Sequence, residues 1–424
     1  STDVPENDHI SKTICHRLYD ANESTKIAQY ILLGKGGAKL LDMMNFDRDV
    51  YHLNEAHGLP AAFYLLKKFG GDLAKVKEKL VFTTHTPEEA GNEKHNIFMC
   101  HDMSYFSGLS IEEVKTIEGV EDDRFNHSLC ALRMARIANG VSQLHGVVSR
   151  AMWSKYPRIC EIKAITNAQE YKYWADKPLY QSKDEDDATL FDFRKKHLKK
   201  RFFKIVADQT GNLFDPNVFT IVWARRFAGY KRADLLLHDK ERFERLLNNP
   251  KYPVQIIWAG KPYPMDYAAI STFNSLVEES KNYKNMAVLT GYELALSKSM
   301  KQGSDLWLNN PRVPREASGT SGMSAAMNGS VNLSTDDGWI PEFAKHGENA
   351  FVVPKADYDN MSVYDQDNYD LNKLYEILEN EIIPMYYDRP DDWRQVQQTA
   401  MDDVKVAFNS DRMADEYYKQ IYNN

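Results

Sequence analysis

Short apolar segments alternate along this chain with longer amphipathic segments, which is the pattern of an α/β protein with parallel sheets. In the first half, strands are predicted at residues 50–54 and 80–84, and a further strand-like stretch leads to residues 165–167. Predicted strands of the second half lie at residues 218–224, 254–260, 287–290 and 305–308. Each of these segments runs into a polar loop, so candidate binding residues are expected where the strands end.

Helical spacing marks two further segments. Ala131, Met134, Ala135 and Ala138 fall on one face, which predicts a helix over 131–138. Near the end, apolar side chains share a face between residues 371 and 382. Asp370 is the predicted N-cap of that helix and Pro384 its predicted stop.

The α/β pattern restarts after Gly211-Asn212, which predicts a domain boundary near residue 212. We therefore expect one Rossmann-like domain at 1–212 and a second at 213–424. Two doubly wound domains facing each other across a cleft is the most economical architecture for this pattern. The charge-rich segment 183–201 is interpreted as a solvated helix face with some linker character.

Composition narrows the function classes. A chain of 424 residues with 43% hydrophobic and 27% charged residues is globular and forms two or three domains. Its formal charge of −8 makes a general nucleic-acid or anionic-membrane binder a poor interpretation. The four cysteines lie far apart, and no apolar run reaches the length of a membrane span. These features predict a reducing, cytoplasmic location and neither a disulfide nor a metal framework.

The first candidate site is a cationic segment that directly follows a predicted strand. Arg225, Arg226, Lys231 and Arg232 place four cations within eight residues, beside Gly229. Arg offers a planar fork and Lys a point charge, so the segment suits phosphate binding. A solvated turn between a strand and a helix is the alternative interpretation.

The second candidate is the small-residue segment 316–324, which begins with Glu316 and opens a predicted helix. Exposed backbone N–H groups at a helix N-terminus bind phosphate, and Glu316 would bind sugar hydroxyls or pair with an arginine. The alternative is a tight turn capped by serine and threonine.

Polar side chains also follow the strands of the first half. These residues are Asn54, Glu55, His57, His85 and Asn167. At one sheet edge they would form a polar wall for a hydroxylated ligand, although a single histidine is more often structural.

Several long motifs resemble those of the α-glucan (glycogen and maltodextrin) phosphorylases, in particular the shorter bacterial and archaeal branch. The first is Glu316-Ala317-Ser318-Gly319-Thr320-Ser321-Gly322-Met323, with 305–311 before it and Asn328-Gly329 after it. The others are 51–57, 81–87, 139–146, 225–232, 337–339 and 388–389. The resemblance covers nearly the whole chain.

The resemblance implies a GT-B fold of two Rossmann-like domains, with the final helices crossing back. It also implies phosphorolysis of α-1,4-glucan or maltooligosaccharide to glucose 1-phosphate with retention of configuration, assisted by pyridoxal phosphate. The catalytic side chains implied by motif match are Arg226, Lys231 and His85. The implied substrate-binding residues are Glu316, Asn167, Asn54, Glu55, Ser318 and Gly319. The implied cofactor-binding residues are Thr320, Ser321, Gly322 and the residue at position 324.

Two departures from the family pattern bear on this expectation. The family's Schiff-base lysine corresponds to Ser324, whose hydroxyl cannot form an imine, so pyridoxal phosphate would bind noncovalently at best. The nearest preceding lysine is Lys301. The chain is also expected to begin after the family's N-terminal segment, which supplies a glycine-rich phosphate loop.

Three functions therefore stay open. In the first, the chain acts as a phosphorylase, as a homo-oligomer or with a partner chain that carries the missing segment. In the second, it is a retaining glycosyltransferase that uses a nucleotide sugar, because the Arg226–Lys231 spacing and Glu316 also resemble the donor site of glycogen synthases. In the third, it is a noncatalytic glucan-binding protein.

Overall fold

The apolar segments collect into separate cores in two units of the chain. The computed structural model describes residues 2–18, 20–46 and 48–423. Residues up to 166, together with those from 415 onward, form the first unit, and residues 167–414 form the second.

The first unit is built on a parallel four-stranded sheet. The strands of this unit are β1 (Tyr51–Asn54), β2 (Leu80–Thr83), β3 (Lys94–Asn96), β4 (Arg124–Asn126), β5 (Ile137–Gly140) and β6 (Glu161–Ala164). The sheet order is β1-β2-β5-β6, while β3 and β4 form a separate antiparallel pair. Every residue of β2 and β5 is buried, as expected of central strands covered on both faces.

Helices connect these strands, and most begin at a side-chain cap. Asn22, Asp72, Asn96, Ser110 and Ser142 each accept a hydrogen bond from a backbone N–H of the first helical turn. The helices are His9–Thr13, Glu23–Ile31, Gly37–Met43, Pro60–Lys68, Leu73–Lys79, Ile97–Asp102, Ile111–Glu118, His127–Met134 and Gln143–Trp153, with short helical segments at Leu32–Gly36, Ala56–Gly58, Glu89–Gly91 and Tyr418–Tyr422.

The second unit contains a parallel six-stranded sheet with a reversal in its strand order. Its strands are β7 (Phe219–Ala224), β8 (Val254–Ala259), β9 (Met286–Leu289), β10 (Leu306–Asn309), β11 (Val331–Ser334) and β12 (Ala350–Val352). The sheet order is β12-β11-β10-β7-β8-β9, which is the order of Rossmann-type doubly wound domains. The order reverses between β7 and β10, where such folds bind ligands at the carboxyl ends of the strands.

The helices of the second unit follow the same alternation. They are Tyr171–Trp174, Lys177–Asp184, Ala188–Thr210, Lys240–Leu247, Tyr267–Ser280, Leu294–Gly303, Thr320–Ala326, Ile340–Phe343, Val363–Ile377, Ile383–Asp388, Pro390–Ala407 and Ser410–Tyr417, the last of which continues into the first unit. Short helical segments lie at Gly229–Lys231, Leu235–His238, Tyr358–Asn360 and Leu378–Ile382.

The α/β class with parallel sheets is confirmed, and the six-stranded sheet of the second unit has the reversed strand order of a doubly wound domain. The division of the chain differs from the expected boundary near residue 212, because residues 167–212 belong to the second unit. Phe202, Phe203 and Val206 of the helix Ala188–Thr210 pack against Val222 and Ile257 of that unit's sheet. Within 183–201, Lys196 and Lys200 lie on an exposed helix face as expected, but Phe191 and Leu198 are buried, so the linker part of the interpretation is wrong.

Two helix predictions are also wrong in their bounds. Residues 131–138 are split between the helix His127–Met134 and strand β5, because a short apolar run has the same spacing in both. Asp370 lies inside the helix Val363–Ile377, which Ser362 caps. The Asp370 carboxylate is fully buried and pairs with Arg232 at 2.8 Å. Beyond it, Pro384 lies in the first turn of the helix Ile383–Asp388.

Over the described ranges, no helix combines the length and the apolar character that a membrane crossing requires. Cys15, Cys100, Cys130 and Cys160 are all free thiols.

We predict that Lys199→Met lowers the free energy of unfolding by about 3–5 kcal/mol. Lys199 Nζ lies 2.5 Å from Asp305 Oδ2, and both side chains are at most 5% exposed. Loss of the cation leaves a buried carboxylate with the Thr220 N–H as a remaining donor. Urea denaturation measures the change, and Lys200→Met on the exposed face of the same helix is the control. Equal losses in the two variants would contradict the prediction.

Candidate functional site

The point of strand-order reversal brings two of the predicted motifs together. Residues 225–232 follow β7, and residues 310–319 follow β10, its neighbour in the sheet. The Arg312 N–H donates to Tyr230 O at 2.8 Å, and Asn310 Nδ2 donates to Arg232 O at 2.9 Å. The two loops are therefore joined by hydrogen bonds at the carboxyl edge of the sheet.

Glu316 is the centre of a buried charge cluster at this edge. Lys231 Nζ lies 2.9 Å from Glu316 Oε2 and 3.2 Å from Oε1. Arg225 Nη1 lies 3.5 Å from the same Oε2. The side chains of Glu316 and Lys231 are each 11% exposed. Two cations therefore face one carboxylate, which leaves a net positive charge where a ligand anion would be favoured.

The charges of this cluster shift each other's protonation. Burial opposes the ionisation of Glu316, but the positive charges of Lys231 and Arg225 outweigh it and hold the pKa of the carboxyl below its usual value. Burial lowers the pKa of Lys231 more than the Glu316 carboxylate raises it. A bound anion would add a second negative partner for the same two cations.

A second loop fixes the backbone around Glu316. The Glu316 N–H donates to Asp337 Oδ2 at 2.8 Å, and the Gly338 N–H donates to Asp337 Oδ1 at 2.8 Å. Gly338 has a φ of +62°, and a Cβ there would lie 2.2 Å from Ser318 O. Burial raises the pKa of Asp337 to about 8. This loop holds Glu316 in place and leaves its carboxylate free to point at Lys231.

The remaining cations of the motif have different environments. Arg226 is exposed beside the cluster. Arg232 is buried, with an ion pair to Asp367 at 2.9 Å and hydrogen bonds to the carbonyls of Asn310 and Pro311. Arg232 is therefore structural, whereas Arg226 is available to a ligand.

The small-residue segment opens the short helix Thr320–Ala326, as predicted, with Gly319 at its N-cap. Gly319 has a φ of +101°, and a Cβ on Gly322 would lie 2.6 Å from Asn332 Oδ1. Thr320 and Ser321 occupy the first turn and are half-buried. Ser318 Oγ is buried and has no hydrogen-bond partner among the described residues.

Ser324, which the motif resemblance aligns with a cofactor-binding lysine, is directed into its own helix. Its side chain is fully buried. Its hydroxyl donates to Thr320 O at 3.1 Å and to Ser321 O at 3.3 Å. Position 324 therefore offers a ligand neither an amine nor an unpaired hydroxyl proton.

The first-half candidates form a polar network in the first unit. His85 Nε2 lies 2.6 Å from Asn54 Oδ1, and the His85 N–H donates to Glu55 Oε1. Thr86 Oγ1 donates to the same Glu55 oxygen at 3.1 Å, and burial raises the pKa of Glu55. Asn167 belongs to the second unit, where its carbonyl accepts from Arg412 Nη2 at 3.3 Å. Asn54, Glu55 and His85 are therefore in the first unit, whereas Asn167 is in the second.

Residues 417 and 422 add tyrosine hydroxyls to the polar groups of the first unit, and no sequence pattern pointed to them. His52 Nδ1 lies 2.8 Å from Tyr422 OH, and His52 Nε2 lies 2.7 Å from Thr83 Oγ1. Asn139 Nδ2 donates to Tyr417 OH at 3.0 Å. Tyrosine spacing in a terminal helix does not reveal which sheet the helix contacts.

Lys301 is a second residue whose environment the sequence did not reveal. Its side chain is 3% exposed, and its Nζ lies 3.7 Å from the centroid of the Trp174 ring. The sequence feature that could have indicated this burial is the position of Lys301 directly after Met300, in a helix that buries Leu296 and Met300.

Comparison with known proteins identifies relatives along the whole chain. The family model described as carbohydrate phosphorylase matches residues 163–383. An uncharacterized protein of Methanocaldococcus jannaschii is 43% identical over all of this chain and 78% of its own length. The maltodextrin phosphorylase of Thermococcus litoralis is 33% identical over 99% of this chain and 56% of its own length. The glycogen phosphorylase of Aquifex aeolicus is 30% identical over 99% of this chain and 69% of its own length.

We predict that His52 makes stability fall as the pH falls from about 6.5 to about 4. Burial lowers its pKa from 6.5 to about 4, with a smaller contribution from His85. Within this window the unfolded chain binds a proton that the folded chain does not, so folding is penalised by up to about 1.4 kcal/mol per pH unit. His52→Gln should reduce this slope in urea denaturation and leave the slope above pH 7 unchanged. Parallel profiles of variant and wild type below pH 6.5 would contradict it.

Proposed function

Because this chain belongs to the carbohydrate phosphorylase family, we propose that it transfers glucosyl units between an α-1,4-glucan and phosphate. The observation that carries this proposal is the convergence of Lys231 and Arg225 on Glu316 at the strand-order reversal of the second unit. A sugar phosphate presents hydroxyls and an anion side by side. A carboxylate flanked by cations matches that combination.

Each residue of the cluster has a distinct proposed part. Lys231 and the exposed Arg226 bind the phosphate oxygens, and Glu316 accepts hydrogen bonds from sugar hydroxyls. Arg225 stays paired with Glu316 and keeps it ionised. In the first unit, we propose that His85, Asn54 and Glu55 contact a hydroxylated ligand, and in the second unit that Asn167 does so.

The reaction balances with phosphate as the sole co-reactant. A phosphate oxygen forms a bond to C1 of the terminal glucosyl residue, and the bond from C1 to the O4 of the next residue breaks. The departing O4 takes the proton that hydrogen phosphate carried. The products are glucose 1-phosphate and a glucan shortened by one residue. The cations of the cluster stabilise the phosphate charge as the bond forms.

Pyridoxal phosphate is the cofactor that the resemblance implies, and position 324 does not fit its covalent attachment. The Ser324 hydroxyl is buried and donates to carbonyls of its own helix, and a hydroxyl forms no imine. The steps above therefore use only substrate phosphate and side chains of this chain.

A retaining transfer from a nucleotide sugar is the second candidate function. Ser324 favours it, because such an enzyme needs no pyridoxal phosphate. The Rossmann strand order of the second unit is also compatible with a nucleotide. Nucleotide-dependent thermal stabilisation without any response to phosphate would favour this function over phosphorolysis.

We predict that Lys231→Met weakens the binding of glucose 1-phosphate roughly ten- to hundred-fold, because a charge-assisted hydrogen bond contributes about 1.5–3 kcal/mol. Isothermal titration calorimetry measures the affinity, and phosphate release from glucose 1-phosphate with maltooligosaccharide measures the reaction. Lys261→Met is the matched control, since Lys261 is exposed and follows the neighbouring strand β8. Unchanged affinity in Lys231→Met, or equal losses in both variants, would overturn the assignment.

We further predict opposite effects of Glu316→Gln on two ligands. Removing the carboxylate frees Lys231 and Arg225 from their negative partner, so inorganic phosphate should bind more tightly. Glucose 1-phosphate should gain less or bind more weakly, because its hydroxyls lose a charged acceptor. Calorimetric titrations of one protein preparation with the two ligands measure the difference. The same change in affinity for both ligands would argue against a sugar contact at Glu316.

A further inference from the structure

The loop that carries Lys231 is hydrogen-bonded to its neighbour on both sides of this lysine. The Tyr230 carbonyl, directly before Lys231, accepts from the Arg312 N–H at 2.8 Å. The Arg232 carbonyl, directly after Lys231, accepts from Asn310 Nδ2 at 2.9 Å. The backbone at Lys231 is therefore fixed by the loop that follows β10.

The residue directly after Lys231 has a backbone conformation that L-amino acids rarely adopt. Arg232 has a φ of +50° and a ψ of +56°, in the left-handed region. Such a conformation is unfavourable for a residue with a Cβ and persists only where its surroundings impose it. A return of Arg232 to an ordinary conformation would turn the adjoining Lys231 away from Glu316. The contacts that hold Arg232 therefore also hold Lys231.

One carboxylate joins the two arginines of this junction. Asp367 lies on the helix Val363–Ile377. Its Oδ1 accepts from Arg232 Nη1 at 2.9 Å and from Arg312 Nε at 2.8 Å, and its Oδ2 accepts from Arg312 Nη2 at 2.6 Å. The Asp367 side chain is 14% exposed and that of Arg232 is 2% exposed. Burial opposes the ionisation of Asp367, but its bonds to Arg312 and Arg232 outweigh burial and hold the pKa of the carboxyl below its usual value.

A second buried carboxylate of the same helix contacts one arginine only. Asp370 Oδ2 lies 2.8 Å from Arg232 Nη2, and Asp370 Oδ1 accepts from Tyr358 OH at 2.9 Å. Within the described ranges, Asp370 makes no ion pair with Arg312. Asp367 is therefore the carboxylate that ties the loop after β7 to the loop after β10.

We propose that Asp367 is a positioning residue for the sugar-phosphate site. Through Arg232 and Arg312, it fixes the backbone on both sides of Lys231 and so directs the Lys231 amine toward Glu316 and the ligand phosphate. Among the described residues, Asp367 makes no hydrogen bond or ion pair with Lys231 itself. The inference deepens the proposed function and rests on it, because that function assigns Lys231 to the phosphate.

A double-mutant cycle tests the proposal. Asp367→Asn removes the charge and keeps the size of the side chain, and calorimetry measures the affinity for glucose 1-phosphate in the wild-type and Lys231→Met backgrounds. We expect roughly tenfold weaker binding in the wild-type background, within the range of coupling inside one ion-pair network, and little further loss in Lys231→Met. Glu376→Gln, at an exposed position of the same helix, is the control and should change neither affinity. Equal losses in the two backgrounds, or no loss in the wild type, would overturn the proposal.

A second variant breaks the same link from the other side. Arg312→Met removes the partner of both Asp367 oxygens, and Arg312 lies in a loop with its side chain 18% exposed. The variant therefore serves where Asp367→Asn does not fold. It should weaken glucose 1-phosphate binding to a similar degree, and wild-type affinity in Arg312→Met would contradict the proposal.

Hydrogen exchange separates failure of the positioning role from failure of the proposed function. In ligand-free Asp367→Asn, the amides of residues 229–232 and 310–316 should exchange faster than in the wild type, whereas Glu376→Gln leaves them unchanged. If Lys231→Met binds glucose 1-phosphate as the wild type does, the proposed function fails and the exchange rates decide the role of Asp367. Unchanged exchange in both loops overturns that role, whatever the ligand.

Discussion

The reversal of strand order in the second unit is the constraint on which its chemistry depends. Chain segments leave β7 and β10 in opposite directions, so the loops after these neighbouring strands share the space at the sheet edge. Lys231 and Glu316 are separated by 85 residues in sequence and meet there at 2.9 Å. A carboxylate buried alone would be strongly destabilising, and the cations make its burial tolerable. The sheet topology therefore brings the opposite charges together, and their pairing in turn allows the loops to bury the Glu316 carboxylate at the sheet edge.

Much of the fold and part of the site could be read from the sequence. Strands β1, β2, β7, β8, β9 and β10 were predicted to within about one residue, because buried parallel strands are short continuous apolar runs. Strand β5 was predicted as part of a helix, and β11 and β12 were not predicted. Pairing of Glu316 with an arginine was one of two interpretations of its motif, and the structure pairs it with Lys231 and Arg225. The burial of Asp370 and Lys199 could not be foreseen, because each depends on a partner more than a hundred residues away. A charged residue on a predicted helix gives no sign of such a partner.

Positions 301 and 324 illustrate the same limit of sequence reasoning. Ser324 was singled out by the motif resemblance, but the hydrogen bonds of its hydroxyl to its own helix are seen only in the structure. Lys301 looks like one more surface lysine among Lys298 and its neighbours. Packing places its amine against an indole instead. Motif comparison identifies an unusual residue at a position, whereas the contacts of that residue are seen only in the structure.

The first unit combines two stretches that lie far apart in sequence, since residues 415–423 belong with residues 2–166. Tyr417 and Tyr422 contribute hydroxyls to hydrogen bonds with Asn139 and His52. During synthesis on a ribosome, about 250 residues of the second unit emerge before these tyrosines do. Until then, Asn139 and His52 lack these two hydrogen-bond partners, although residues 167–414 have already been synthesised. The hydrogen bonds of the first unit are therefore complete only after the whole second unit has been made.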